Sequence, residues 1–234
     1  MMHALPVLWQ ACPVADMRAL ILFDLDGTLV DPAGAITGGI SAALVSHGFP
    51  VPSGPLLNAM VGPSLVQSLT SLGGVPASRV QDVMATYRAG YVATGMAQSR
   101  PYPGMAHCVE ALADAGAVVA VATQKPEWLA EELLAVQGLR HLFASVHGSP
   151  RDEATTVGGK EPIIRAALEH HGYEAGRAVM VGDRRHDVEG ATANGIDCIG
   201  VSWGFAGPGE LEAAGAAAVV HSADDLLEVL RGRL

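Results

Sequence analysis

Cysteine is scarce in this chain. Its three residues, Cys12, Cys108 and Cys198, are scattered, odd in number and free of any C-x-x-C pair. That pattern argues against a structural zinc site and for a reducing compartment. Charge is also sparse, at 16% of residues, and the formal net charge is −10 with no basic run. A chain without a basic stripe is a poor partner for a nucleic-acid polymer or for an anionic membrane surface. No apolar run reaches the ~18 residues of a membrane span. Residues 1–17 lack the positive start of a signal peptide, so they are expected to form an extension, with Met17 near the natural start and a cytoplasmic location. What is abundant is apolar surface: half of the 234 residues are hydrophobic, enough to bury a full core.

Apolar runs of strand length recur, each followed by small or polar residues and then a helical pattern. They are Ala19–Phe23, Ala117–Ala122, Leu142–Val146, Ala178–Val181, Ile196–Val201 and Ala217–Val220. Continuous rather than alternating apolar strands, separated by helices, predict an α/β fold: a Rossmann-like parallel sheet covered on both faces. Pro126, Pro162 and Pro208 fall where first helical turns should begin, and Gly138, Gly172 and Gly215 just past helix ends. Ser222 with Asp225 reads as a capping box before the last helix. Residues 32–98 interrupt the alternation with three helical stretches, near 33–47, 54–71 and 77–96. The expected organisation is therefore a core of residues 18–31 and 99–234 with a helical insertion at 32–98.

Ligands of open parallel sheets bind beyond the carboxyl ends of the strands. The polar residues there are Asp24 and Asp26 after the first strand, Thr123 after the second, and Asp183 and Asp187 after the fourth; Lys160 precedes the helix leading to that fourth strand. Four carboxylates at one edge repel one another, and a divalent cation resolves the conflict; oxygen ligands without His or Cys favour Mg²⁺. In D-x-D at a strand end both side chains share a side, so one can attack phosphorus while the other handles a proton. Gly27 permits a sharp turn with backbone N–H groups open to phosphate oxygens. Thr123 offers a hydroxyl, and Lys160 a positive charge for the developing transition state.

Asp24-Leu25-Asp26-Gly27-Thr28, Thr123, Lys160 and Gly182-Asp183-x-x-x-Asp187 resemble the four ordered motifs of the haloacid dehalogenase superfamily. PYPG at 101–104, VATQKPE at 121–127, VGDRRHD at 181–187 and IGVSWG at 199–204 are similar to its phosphoglycolate-phosphatase-like branch, whose helical cap is inserted between the first two motifs. The resemblance implies Asp24 as nucleophile, Asp26 as general acid and base, and Thr123 and Lys160 as phosphoryl contacts. It implies Mg²⁺ ligation by Asp183, the Asp24 carboxylate and the Asp26 backbone carbonyl, with Asp187 supporting. Gln124 stands where the branch often has Asn or Ser, and its N–H can still serve phosphate.

The implied reaction is hydrolysis of a small phosphomonoester: phosphoglycolate, a nucleoside monophosphate or a sugar phosphate. A phosphosugar mutase would keep the same motifs, and a non-catalytic phosphate-binding protein would not need both Asp24 and Asp26. A phosphonatase of this fold uses a cap lysine, and residues 32–98 contain none. The cap cations are Arg79, Arg88 and Arg100, with His47 titratable; Arg88 is the candidate carboxylate clamp, and Met60–Pro63, with Gly62 and Pro63, the candidate substrate segment. Asn58, Ser64 and Gln67 would serve a nucleoside or sugar phosphate. The expected partner is a small phosphorylated metabolite bound by a monomer or homodimer.

Overall fold

The computed structural model describes residues 19–151 and 159–234; the expectations for residues 1–17, Met17 and Cys12 lie outside them. Six parallel strands form one sheet in the order β5-β4-β1-β6-β7-β8. They are β1 (Leu20–Phe23), β4 (Val118–Pro126), β5 (Ser145–Ser149), β6 (Ala178–Gly182), β7 (Asp197–Val201) and β8 (Ala218–Val220). β1 is central and all four of its side chains are buried, which explains its unbroken apolar run. Odd and even residues feed different cores: Ile21 and Phe23 pack on one face, Leu22 and Leu20 on the other, as the period-two geometry of a strand requires. Helices α6 (Met105–Asp114), α7 (Glu127–Val136), α8 (Glu161–His171), α9 (Arg185–Ala193), α10 (Glu210–Ala214) and α11 (Ala223–Arg231) complete the layers.

Between β2 (Val30–Asp31) and β3 (Arg100–Pro101), an antiparallel pair that the sequence reading missed, the chain is helical. Such two-residue strands are too short to carry a period. The insertion holds α1 (Ala35–Ser46), α2 (Gly54–Ala59), α3 (Leu65–Gln67), α4 (Val80–Gly90) and α5 (Met96–Gln98). The expected helix over 54–71 is broken at Met60–Ser64, where Gly62 takes φ +108°. A positive φ of that kind ends α-helical geometry, and Pro63 follows it. Near 77–96 a π-helical turn at Tyr91–Gly95 joins α4 to α5.

Other boundaries also move. Leu142 closes a short 3-10 turn and β5 starts only at Ser145. β4 runs on to Pro126, which precedes α7, and Pro208 lies two residues ahead of α10. Ser222 caps α11 by accepting the Asp225 N–H (3.1 Å), but the Asp225 carboxylate accepts from the Ser222 hydroxyl, so the reciprocal backbone bond of a capping box is not what forms.

At the edge strand, the Ser145 hydroxyl lies 2.9 Å from His147 Nε2 and 2.7 Å from His171 Nε2. Burial, then the charges of His170 and His171, lowers the His147 pKa to about 4. An unfolded histidine titrates near ~6.5, so between these values the unfolded state binds more protons and stability falls as pH drops from about 6.5 to 4. Melting temperature is expected to fall between pH 7.5 and pH 5.0, and His147→Asn to narrow that gap. An unchanged gap in the variant would remove His147 as a source of acid sensitivity.

Candidate active site

Register explains why the motif residues meet. Phe23 pairs with Val121 on one side and Val181 on the other, so the residues just beyond these three lie level and share one edge. Asp24, Asp26, Thr123, Gln124, Lys160, Asp183 and Asp187 are all brought there and all are buried. Asp24, Asp183 and Asp187 can place one carboxylate oxygen each within 4.8 Å of one another.

Lys160, at the start of α8, is the counter-ion of this group. Its Nζ lies 2.6 Å from Asp24 Oδ1 and also binds Asp187 Oδ1. Burial works against the ammonium, but Asp187 and Asp24 more than offset it, and the Lys160 pKa is raised. Asp187 Oδ2 accepts the Arg184 N–H (2.9 Å), tying it to the first turn of α9. Asp183 is held by the Phe205 N–H on Oδ2 (2.7 Å) and the Thr28 hydroxyl on Oδ1 (3.3 Å). Burial first, then the charges of Asp187 and Asp24, raises Asp183 well above the ordinary carboxylate range, and burial lifts Asp187 to about 6. A trio of buried oxygens whose mutual repulsion is not met by one lysine fits a divalent cation with hard oxygen ligands.

The glycines of the motifs have a steric cause. A Cβ on Gly27 or Gly204 would overlap the Asp183 carboxylate, and one on Gly182 would overlap Asp187. Gly27 turns at φ +93° as expected. Its N–H is not open to phosphate, however, because it donates to Val30 O (2.9 Å). The tight turn that Gly27 permits returns the chain to β2, and that return consumes its own donor.

β4 loses its ladder register to β5 between Ala122 and Pro126. An irregularity there re-aims Thr123, Gln124 and Lys125 at the strand end. Thr123 Oγ1 accepts the Lys125 N–H (3.3 Å), so its hydroxyl proton stays available for donation. Lys125 is the main residue that sequence reasoning missed. Its Nζ lies 2.7 Å from Asp26 Oδ2, with side chains 7% and 12% exposed. Burial raises the Asp26 pKa while Lys125 opposes the rise. The signal was in VATQKPE, but a lysine two places beyond Thr123 gives no sign of which way a bulged strand will turn it. Oδ2 of Asp26 is thus committed to Lys125, and its carboxylate is not in the three-carboxylate cluster.

A cleft lies between the insertion and this edge, lined by Asp24, Asp26, Thr123, Gln124 and Lys125 from the core and by Ile36, Ile40, Met60–Pro63, Leu65, Tyr87 and Arg88 from the insertion. Gly62, Pro63 and Arg88 therefore line this cleft. The other cations do not. Arg79 pairs with Asp82 (3.5 Å) and lies over Phe49, Arg100 donates to the Ala97 and Ser99 carbonyls, and His47 bonds Thr86. Asn58 and Gln67 are not in the lining, and Ser64 caps α3. Arg184 donates to Val61 O and, through Nε, to Glu210 Oε1 (2.8 Å), so the residue next to Asp183 also holds the Met60–Pro63 segment.

Residues 21–201 match the family model described as haloacid dehalogenase-like hydrolase. A 5'-nucleotidase of Pseudomonas aeruginosa is 37% identical over 193 residues, 82% of this chain and 86% of that protein. The tyrosine-protein kinase PtkA of Mycobacterium tuberculosis is 36% identical over 223 residues, 94% of this chain and 75% of that one. The solved structure of that kinase covers 91% of this chain and 98% of its own at a TM-score of 0.77 and 34% identity. A phosphoglycolate phosphatase of Caulobacter vibrioides is 32% identical over 209 residues, 87% of each chain. The chain belongs to the haloacid dehalogenase-like hydrolases, with that family's parallel-sheet fold.

Proposed function

We propose that the protein is a Mg²⁺-dependent phosphatase that hydrolyses a small organic phosphomonoester through an aspartyl-phosphate on Asp24. The observation that carries this reading is the fixed Asp24 carboxylate, with Oδ1 2.6 Å from buried Lys160 and the residue lining a cleft beside Thr123. Lys160 aims the nucleophile and offers positive charge to the phosphoryl oxygens, and the Thr123 hydroxyl donates to one of them. Asp26 protonates the leaving oxygen and then takes a proton from the attacking water. Asp24, Asp183 and the Asp26 main-chain oxygen would hold Mg²⁺, with Asp187 in support. When bound, the ion neutralises phosphoryl charge and screens the carboxylates from one another. The helical insertion acts as a cap that excludes water from the reacting centre.

Within the substrate range, the lining favours a compact alcohol over a second phosphate. Among the described residues Arg88 is the one arginine in the cleft lining, which it shares with Ile36, Ile40, Met60 and Leu65. A phosphosugar mutase must hold two phosphates in turn, which a single arginine among apolar side chains suits poorly. A small carboxylated phosphoester such as phosphoglycolate uses both features. The names of the relatives span nucleotides, phosphoglycolate and tyrosine, so the screen must include all three.

The test is phosphate release with Mg²⁺ from phosphoglycolate, nucleoside monophosphates, sugar phosphates and phosphotyrosine, together with mass spectrometry for a phosphoryl group on Asp24. One substrate with kcat/KM within ~10⁴–10⁸ M⁻¹s⁻¹ is expected. Arg88→Ala should raise KM for a carboxylated substrate about 10-fold or more, the value of one charge-assisted pair, and leave a neutral-alcohol ester little changed. Equal effects on both would remove Arg88 as the carboxylate contact.

A further inference from the structure

Asp26 carries two oxygens in unlike settings. Oδ2 is held by Lys125 Nζ at 2.7 Å, whereas Oδ1 is buried with no hydrogen-bond partner among the described residues. A buried acceptor left unpaired is costly, and one on a residue lining a cleft calls for a partner supplied by the ligand. Lys125 is itself seated from the other side. Its Nζ lies 4.3 Å from the centroid of the Tyr91 ring, a distance at which ring and ammonium attract. Tyr91 belongs to the π-helical turn of the insertion, and its ring has room because Gly95, four residues on, has no Cβ to strike it.

We infer that Lys125 is a positioning residue of the reaction: by holding Oδ2 it leaves Oδ1 as the oxygen of Asp26 that exchanges the proton, and its seat on Tyr91 makes that orientation depend on the insertion being in place. The inference rests on the reading of Asp26 as acid and base. In the first step the Asp24 O–P bond forms and the bond from phosphorus to the alcohol oxygen breaks, while the Oδ1 proton passes to that oxygen. In the second, the oxygen of a water bonds to phosphorus, the Asp24 O–P bond breaks, and Oδ1 receives the proton of the water. Alcohol and phosphate leave, and both aspartates return to their starting forms. Lys125 exchanges no proton in either step; it acts through Asp26.

The test compares substrates that differ in their need for that proton. An alkyl phosphate expels a basic alkoxide and needs it, whereas an aryl phosphate with a stable phenolate needs it little. In Lys125→Met, kcat/KM, which reports the steps through alcohol release, should fall about 10²-fold for the alkyl ester and at least ~10-fold less for the aryl ester. Aryl hydrolysis should also show a burst of phenolate before a slowed steady state, because the water step still needs Asp26. Tyr91→Leu removes the ring charge distribution and leaves a small cavity at a fully buried site; it should give the same pattern at smaller size, and it decides the matter should Lys125→Met fail to fold. Equal losses on both esters would mean a structural role, and a raised KM with intact kcat would mean a substrate contact; either overturns the inference. Phosphate release by Asp24→Asn would instead remove the underlying reading.

Discussion

Asp24→Asn is expected to abolish phosphate release while leaving a folded protein. The amide is isosteric with the carboxylate but has lost the negative charge and nucleophilicity that attack phosphorus requires. Lys160 keeps Asp187 as a partner, so the substitution does not strand a buried ammonium. A fall of ~10³-fold or more in kcat/KM, equivalent to about 4 kcal/mol of transition-state stabilisation, is the expected size. The measurement is steady-state release on the best substrate, with a thermal melt to show that the variant is folded. Retained turnover would end the aspartyl-phosphate mechanism.

Lys160→Met should damage stability and activity together. Its ammonium is the shared counter-charge of Asp24 and Asp187 at an edge that also carries buried Asp183. Removing one partner of a buried ionic group leaves uncompensated charge and costs about 3–5 kcal/mol. For a chain of this size that is a fall in Tm of about 6–20 °C. The sign with pH is definite: without Lys160 the crowded carboxylates take up protons at higher pH than they do unfolded, so the deficit is largest above pH 7 and shrinks toward pH 5. Mg²⁺ should recover part of the deficit, because it binds the folded carboxylate cluster and not the unfolded chain. Activity should fall about 10²–10³-fold even with the ion present, since Lys160 also faces the developing phosphoryl charge. A variant as stable as the parent at pH 8 without divalent ions would show that the lysine is not the counter-ion of this cluster.

The residues that could be read from the chain are those whose chemistry and local structure coincide. Leu20–Phe23 is a buried central strand because it has no polar interruption, and Asp24 and Asp26 stand at its end because the apolar run stops there. The same logic placed Thr123, Lys160, Asp183 and Asp187 at strand ends or helix starts, and their convergence follows from parallel register. Gly172 and Gly215, both in left-handed conformation, end helices where expected.

Where the reading fell short, the deciding contacts form only once the chain has folded. The break at Met60–Ser64 is local, yet what holds that segment is Arg184, more than a hundred residues on. The Gly27 amide looked free because its acceptor, Val30 O, is reached only when the turn closes. Lys125 pairs with a carboxylate 99 positions away, over a ring from a third part of the chain. Residue type and spacing alone determined the sheet, the order of the motifs and the identity of the charged groups, because those depend on burial and on periods of two and 3.6 residues. Which charge meets which, and which oxygen of Asp26 is left without a partner, only the tertiary structure decided. Pairing across a sheet edge is set by strand register and helix packing, and neither is encoded in any one segment.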